Sequence, residues 1–204
     1  MENTVIYRTF ELGDVDRLYQ WMNDDELKSL SFGLNRRMSR EEVENWVMAR
    51  KNHNPYQVFW AICPKDMPEK IIGYACLTDI HYINSSANFS GIVIGDKEYR
   101  DGFAWLETYL FIMEYAFERL NLNRLYGENV MDHIQSHTIG SVLFWKREGI
   151  MRQAVYKGGR YYDVSMGSIL RSEYMEHKNN GDYSLMKIIR RMKAAKDKKN
   201  TSIN

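Results

Sequence analysis

Two histidines four residues apart, His133 and His137 in MDHIQSHTIG, have the spacing that sets both imidazoles on one face of a helix, as metal ligands require. No third ligand accompanies them. The two cysteines, Cys63 and Cys76, lie at no ligand spacing and are too few for a disulfide scaffold, so neither a metal site nor an oxidising compartment is expected. A different chemistry is offered by YRDG at 99–102, where Gly102 precedes a helical run. A glycine turn opening a helix presents backbone N–H groups and the positive end of the helix dipole, which together cradle phosphate. The same residues also read as a plain turn in which Asp101 caps the helix, and the pattern leaves both readings open.

The elements around these residues follow from periodicity. Residues 5–10 alternate weakly as an edge strand, and Val15, Leu18, Trp21 and Met22 recur at helical spacing in a helix that ends near Ser29. Ser39 and Glu42 make a capping box for a second helix, which Asn54-Pro55 stops. Runs at 56–63, 70–80 and 87–96 read as an antiparallel meander. Leu106, Leu110, Met113, Phe117 and Leu120 mark a long helix over 102–120 with one face on a sheet. A strand at 124–130, a helix over 134–148 ending at Gly149, and a hairpin turning at Gly158-Gly159 complete the order β-α-α-β-β-β-α-β-α-β-β. That order predicts an α/β protein in three layers, with a mixed, mostly antiparallel sheet between helices.

Charge separates the last stretch from the rest. Residues 176–204 hold eight Lys/Arg against three Asp/Glu, which leaves the body at about −4 although the chain totals +1. A net-acidic body offers nucleic acid no footprint. The division expected is a domain over 1–175 and a basic amphipathic tail over 176–204, with Leu185, Ile188, Ile189 and Met192 as its apolar stripe. The tail reads as dispensable for the core fold, and its stripe needs a surface: the net-acidic body, its own or a twin subunit's in a homodimer, with an anionic membrane surface as the alternative. No apolar run approaches the roughly 20 residues that span a bilayer, and the N-terminus lacks a signal pattern, so a cytoplasmic protein with no integral membrane segment is expected.

Longer stretches carry a resemblance. KEYRDGFAWLETYLFIMEYAFERLNLNRLY resembles the cofactor motif of the GNAT N-acetyltransferase superfamily, in which a strand ends in a glycine loop and a helix follows. FWKREGIMRQAVYKGGRYYDVSMGSILRSEY is similar to the closing hairpin of the subfamily containing ribosomal-protein alanine, spermidine and nucleotide-amino-sugar acetyltransferases. LYQWMNDDELKSL with SREEVENWV resembles that subfamily's opening helix pair. The resemblance implies acetyl-CoA as co-substrate, with no metal. It places Ile92, Val93 and Ile94 beside the pantetheine arm and the loop Tyr99, Arg100, Asp101, Gly102, Phe103 and Ala104 at the pyrophosphate. Ser136, His137 and Thr138 fall at the adenine end. Tyr99 stands where the family has Arg or Gln, and Arg100 follows it.

Acetylating an amine requires a base, a donor to the oxyanion and an acid for the departing thiolate. Trp145 stands where much of the superfamily carries an acid tyrosine, and indole cannot supply the proton. A thiolate of pKa about 8.5 is already a fair leaving group. Asn88 stands where relatives often have a glutamate base. The remaining candidates are Asp79 and His81 in LTDIHY and, acting through water, Glu128. Trp21 and Asn23 match the subfamily's Trp-x-Asn and, with Tyr161 and Tyr162, are the expected acceptor residues. A small-molecule amine is the implied acceptor: a nucleotide-linked amino sugar first, since a base stacks on aromatic rings, and a polyamine second, through Asp24, Asp25 and Glu26. A protein N-terminal acetyltransferase and a binding module without activity are the other readings.

Overall fold

The computed structural model describes residues 3–29 and 36–201. Within it the chain forms two compact units, 1–81 with 88–114 and 82–87 with 115–204.

The first unit is built on strands β1 (Val5–Arg8), β2 (Val58–Pro64), β3 (Gly73–His81) and, from Asn88 onward, β4 (Ser86–Ile94), adjacent in that order. β1 pairs with β2, and β2 with β3, antiparallel, with Ile6 opposite Cys63 and Phe59 opposite Cys76. Helices α1 (Val15–Met22), α2 (Asp25–Ser29) and α3 (Arg40–Lys51) follow β1. Val15, Leu18, Trp21, Val43 and Val47 from α1 and α3 bury against Ala61 and Cys63 of β2. On the other face lies α4 (Phe103–Glu114), where Phe111 stacks on Tyr7 at 3.8 Å and meets Trp60 edge-on at 5.3 Å. This unit alone is therefore layered helix, sheet, helix. Burial raises the Tyr7 phenol well above its ordinary range.

Two local locks shape the helix pair. Arg8 grips buried Asp14 through two bonds of 2.7 and 2.8 Å, which fixes the passage from β1 into α1. The single helix expected up to Ser29 is interrupted at Asn23. Its side chain donates to the carbonyls of Tyr19 and Met38 and accepts from the Met38 N–H at 2.9 Å, while Asp24 starts α2 by accepting from Leu27 N–H at 3.1 Å. Asn and Asp offer the backbone such alternatives to a continuing helix. The Ser39–Glu42 capping box forms as expected.

The second unit carries β5 (Arg124–Val130), β6 (Lys146–Lys157) and β7 (Arg160–Leu170), with β7 paired antiparallel to both others. Its helices are α5 (Ile134–Val142), α6 (Arg171–Asn179) and α7 (Leu185–Thr201). It opens with a π-helical turn over Tyr115–Arg119, continuing the α4 pattern in a wider coil than the expected plain helix. α5 stops at Val142, not near 148. Phe144 adopts φ +69°, its N–H bonds Ser141 O at 3.2 Å, and Trp145 N–H reaches back to Gly140 O at 2.9 Å. That is a Schellman ending with phenylalanine in the position glycine usually takes. Residues 146–157 then pair with β7, so Gly149 lies within β6 at a register shift instead of terminating a helix.

Phenylalanine tolerates that conformation because its ring is held. His177 of α6 stacks on it at 3.5 Å, Tyr183 meets it edge-on at 5.8 Å, and the Arg191 guanidinium of α7 lies 4.5 Å from its centre. Arg191 also donates to Val142 O, one of the carbonyls that the end of α5 leaves without a helical partner. Ile188 of the basic tail is fully buried.

Candidate active site

In the first unit, β4 leads into the glycine loop. Ile94 is buried and Ile92 and Val93 are half-buried, with Gly91 before them at φ +124°. A residue at that angle interrupts regular strand geometry, and only glycine adopts it without strain. Gly95 follows with the Trp21 ring directly on its backbone: a Cβ there would fall 2.1 Å from the ring. Trp21 is thus packed against the root of the loop, and Asn23 ties α1 to Met38.

The loop's charged residues are engaged. Arg100 folds back, donating from Nε to Ile94 O at 2.9 Å and from Nη2 to Gly95 O at 3.0 Å, and meets Glu26 of α2 at 3.3 Å. Lys97 pairs with Glu26 at 3.6 Å. Tyr99 lies beneath the Lys70 ammonium, which itself pairs with Asp96 at 3.3 Å. Asp101 accepts from Phe103 N–H at 2.9 Å, the capping contact that was one of its two readings. Gly102 has φ +97°, and nothing lies within 4 Å of where its Cβ would stand. Since Leu106 N–H is the first to reach a helical acceptor, at Gly102 O, the N–H groups of Ala104 and Trp105 have none within the helix. An open space bounded by such donors fits a phosphate group, although the Asp101 carboxylate beside it opposes one.

Asp79 and His81 stand exposed at the end of β3, and Asp79 has φ +50°. A non-glycine residue in the left-handed region costs of order 1 kcal/mol, and such strain concentrates at functional positions. Asp79 accepts from Thr78 Oγ1 at 3.2 Å, and Thr78 Oγ1 lies 2.5 Å from Ser90 Oγ of β4. Asn88 Oδ1 is 3.4 Å from the same Ser90 hydroxyl. Burial pushes the nearby Cys76 thiol up to about 12, so it stays protonated. Sequence reasoning missed Thr78 and Ser90. Period-two alternation puts Thr78 on the same face as Tyr74 and Cys76, but no pattern announces a polar pair across two strands.

In the second unit, Glu128 is exposed on β5 opposite Met166 of β7. His133 caps α5 through its carbonyl, and its Nδ1 meets the Ser136 hydroxyl; His137 Nε2 lies 3.1 Å from Val130 O. The two imidazoles are thereby occupied with the start of α5, and among the described residues no group of three or more His, Cys, Asp or Glu is arranged to hold a metal. Thr138 is half-buried in the same turn region. Tyr161 is exposed and packs on Tyr156 at 4.9 Å across the β6–β7 pair, while Tyr162 lies under the Arg160 guanidinium at 4.2 Å. Trp145 sits in the turn between α5 and β6, over Gly167. Among the described residues no helix is long and apolar enough to cross a membrane.

The family described as the acetyltransferase (GNAT) domain matches residues 4–143. The spermidine N(1)-acetyltransferase of Vibrio cholerae is 26% identical over 176 residues, 86% of this chain and 98% of its own. The uncharacterized N-acetyltransferase YnaD of Bacillus subtilis is 23% identical over 83% of this chain and 95% of its own. Among solved structures, the spermidine N-acetyltransferase of Vibrio cholerae in complex with CoA and spermine has a TM-score of 0.76 at 24% identity, covering 85% of this chain and 99% of its own. A structure of the enzyme from that organism with manganese ions has a TM-score of 0.69 at 23% identity, covering 85% and 96%. The likeness establishes a common α/β fold.

Proposed function

Because the chain belongs to the GNAT acetyltransferase family, we propose that it transfers the acetyl group of acetyl-CoA to a primary amine of a polyamine. One observation carries the choice of acceptor: the match to a spermidine acetyltransferase runs over nearly that protein's whole length. This reverses the order in which sequence chemistry ranked the acceptors, with a nucleotide-linked amino sugar ahead. Of the three acids of α2 and its approach, Asp24 caps the helix and Glu26 holds two cations, so Asp25 is the carboxylate proposed to meet a cationic acceptor.

For the cofactor, Ile92–Ile94 and the loop from Tyr99 to Ala104 are the proposed contacts of the pantetheine arm and pyrophosphate, with backbone N–H groups supplying the charge complement. Arg100, bonded to Ile94 O and Gly95 O, acts there by fixing the loop's root. In the second unit, Ser136, His137 and Thr138 are proposed for the adenine and 3′-phosphate end, Tyr161 and Tyr162 for the acceptor, and Glu128 as the alternative base to Asp79 or His81.

The test is thiol release from acetyl-CoA with spermidine, a nucleotide-linked amino sugar and an N-terminal peptide supplied in parallel. Spermidine is expected to lead in kcat/KM by about tenfold or more, about 1.4 kcal/mol in transition-state binding. A faster amino sugar overturns the acceptor assignment. Absence of binding heat with acetyl-CoA at about millimolar concentration, where even a weak complex forms, overturns the cofactor assignment and leaves a binding module.

A further inference from the structure

We propose that the amine's proton leaves through a hydroxyl relay, Ser90 to Thr78 to Asp79, in place of a base directly on the acceptor. The inference rests on the acetyltransfer reading and names how its site disposes of the proton. Its direction follows from donor arithmetic. An ionised carboxylate can only accept, so in the 3.2 Å contact Thr78 donates its single hydroxyl proton to Asp79 Oδ2. Thr78 Oγ1 therefore has no proton left for Ser90, and in the 2.5 Å contact Ser90 is the donor. The Asn88 side-chain oxygen, at 3.4 Å, is the weaker competitor for that proton. What Ser90 keeps is acceptor capacity, and its side chain is exposed, open to an incoming N–H. The Cys76 sulfur is a further competitor for the Ser90 proton, and a weak acceptor beside the Thr78 oxygen.

The surroundings suit the task. Ser90 precedes Gly91, where β4 departs from regular strand geometry, and the Ile92–Ile94 segment proposed for pantetheine begins immediately after it. At the other end, Asp79 is held at φ +50° and faces water, so a proton delivered there passes to solvent. Asn88, standing where relatives often carry glutamate, cannot take a proton, which leaves the hydroxyl pair as the route from that strand to a carboxylate.

The neutral amine's lone pair forms the N–C bond to the thioester carbonyl, and the nitrogen of the adduct becomes far more acidic than a free ammonium. Its proton goes to Ser90 Oγ as Ser90 passes its own to Thr78 and Thr78 passes its own to Asp79. The adduct collapses with the C–S electron pair leaving on the CoA thiolate, which is protonated by water, and Asp79 returns its proton to water. Ser90 is the group that meets the substrate; Thr78 and Asp79 act through it.

Thr78→Val keeps the branched shape of the side chain and removes the hydroxyl. It is expected to lower kcat with spermidine by about a hundredfold, the lower end of the range for a lost proton acceptor, while the Kd for acetyl-CoA stays unchanged. Thr78→Ser is expected to restore the rate, a rescue that a packing role would not give. Ser90→Ala should match Thr78→Val, and the double variant should be no slower than either, because one broken link already interrupts a chain. If the parent enzyme is active and Thr78→Val is equally active, or if the two losses multiply, the relay is wrong. An unfolded Thr78→Val passes the decision to Ser90→Ala, whose full activity would overturn it equally. A parent inactive on every amine overturns the acetyltransfer reading and the relay together.

Discussion

Asp101 illustrates a residue pulled between two duties. Its carboxylate accepts the Phe103 N–H and so begins α4, yet it places a negative charge at the end of a helix proposed to receive pyrophosphate. Asp101→Asn keeps the acceptor oxygen and removes the charge. The expected result is tighter acetyl-CoA binding by roughly threefold to tenfold in calorimetry, about 0.6 to 1.4 kcal/mol. Unchanged or weaker binding would show that phosphate does not approach this helix end. The sequence supported either duty for YRDG, and the structure displays the capping one. The sequence is less informative about Arg100, because a guanidinium satisfied by the carbonyls of Ile94 and Gly95 leaves no trace in residue spacing.

Elements were legible where periodicity was strong and illegible where side chains overrule it. The Ser39 capping box and the β5 strand stood out from their residues. The break at Asn23 and the end of α5 did not, since each depends on a distant partner: the Met38 backbone in one case, α6 and α7 in the other. The same misjudged stretch contains Glu148, which as a β6 residue joins three strands, bonding Arg124 of β5 at 2.6 Å and Ser168 of β7 at 2.7 Å. The Arg124 guanidinium, then Ser168, hold its carboxyl down at about 2. A carboxylate lowered on folding stabilises the folded chain above its unfolded pKa of about 4.5, and that contribution fades as the pH falls toward 2. Urea titrations of Glu148→Gln and the parent should therefore differ near pH 6 and converge toward pH 2. The gap should stay below about 1 kcal/mol, because the pair is largely solvent-exposed. A gap that widens on acidification would contradict the assignment.

For the whole molecule, layered α/β architecture and family were readable from element order and the long resembling stretches, while the standing of the tail was not. Composition alone marks 176–204 as an appendage. The structure seats Ile188 in the interior of the second unit and bonds Arg191 to the end of α5. Truncation after Tyr174 removes His177, Tyr183, Ile188 and Arg191 together. Fully burying one isoleucine contributes about 1.5 to 3 kcal/mol, and for a chain of this size each kcal/mol moves Tm by about 2 to 4 °C. Differential scanning calorimetry of the truncated chain should show a Tm roughly 5 °C or more below the parent; an unchanged Tm would return the tail to the status of an appendage. The ring of Phe144 carries the matter into biosynthesis. Its left-handed backbone costs about 1 to 2 kcal/mol, and the three residues that hold the ring, His177, Tyr183 and Arg191, are all translated after it. While the chain is still being made, α5 lacks the partners that close its last turn. Docking of α6 and α7, not emergence of residues 134–142, is the event that completes the helix.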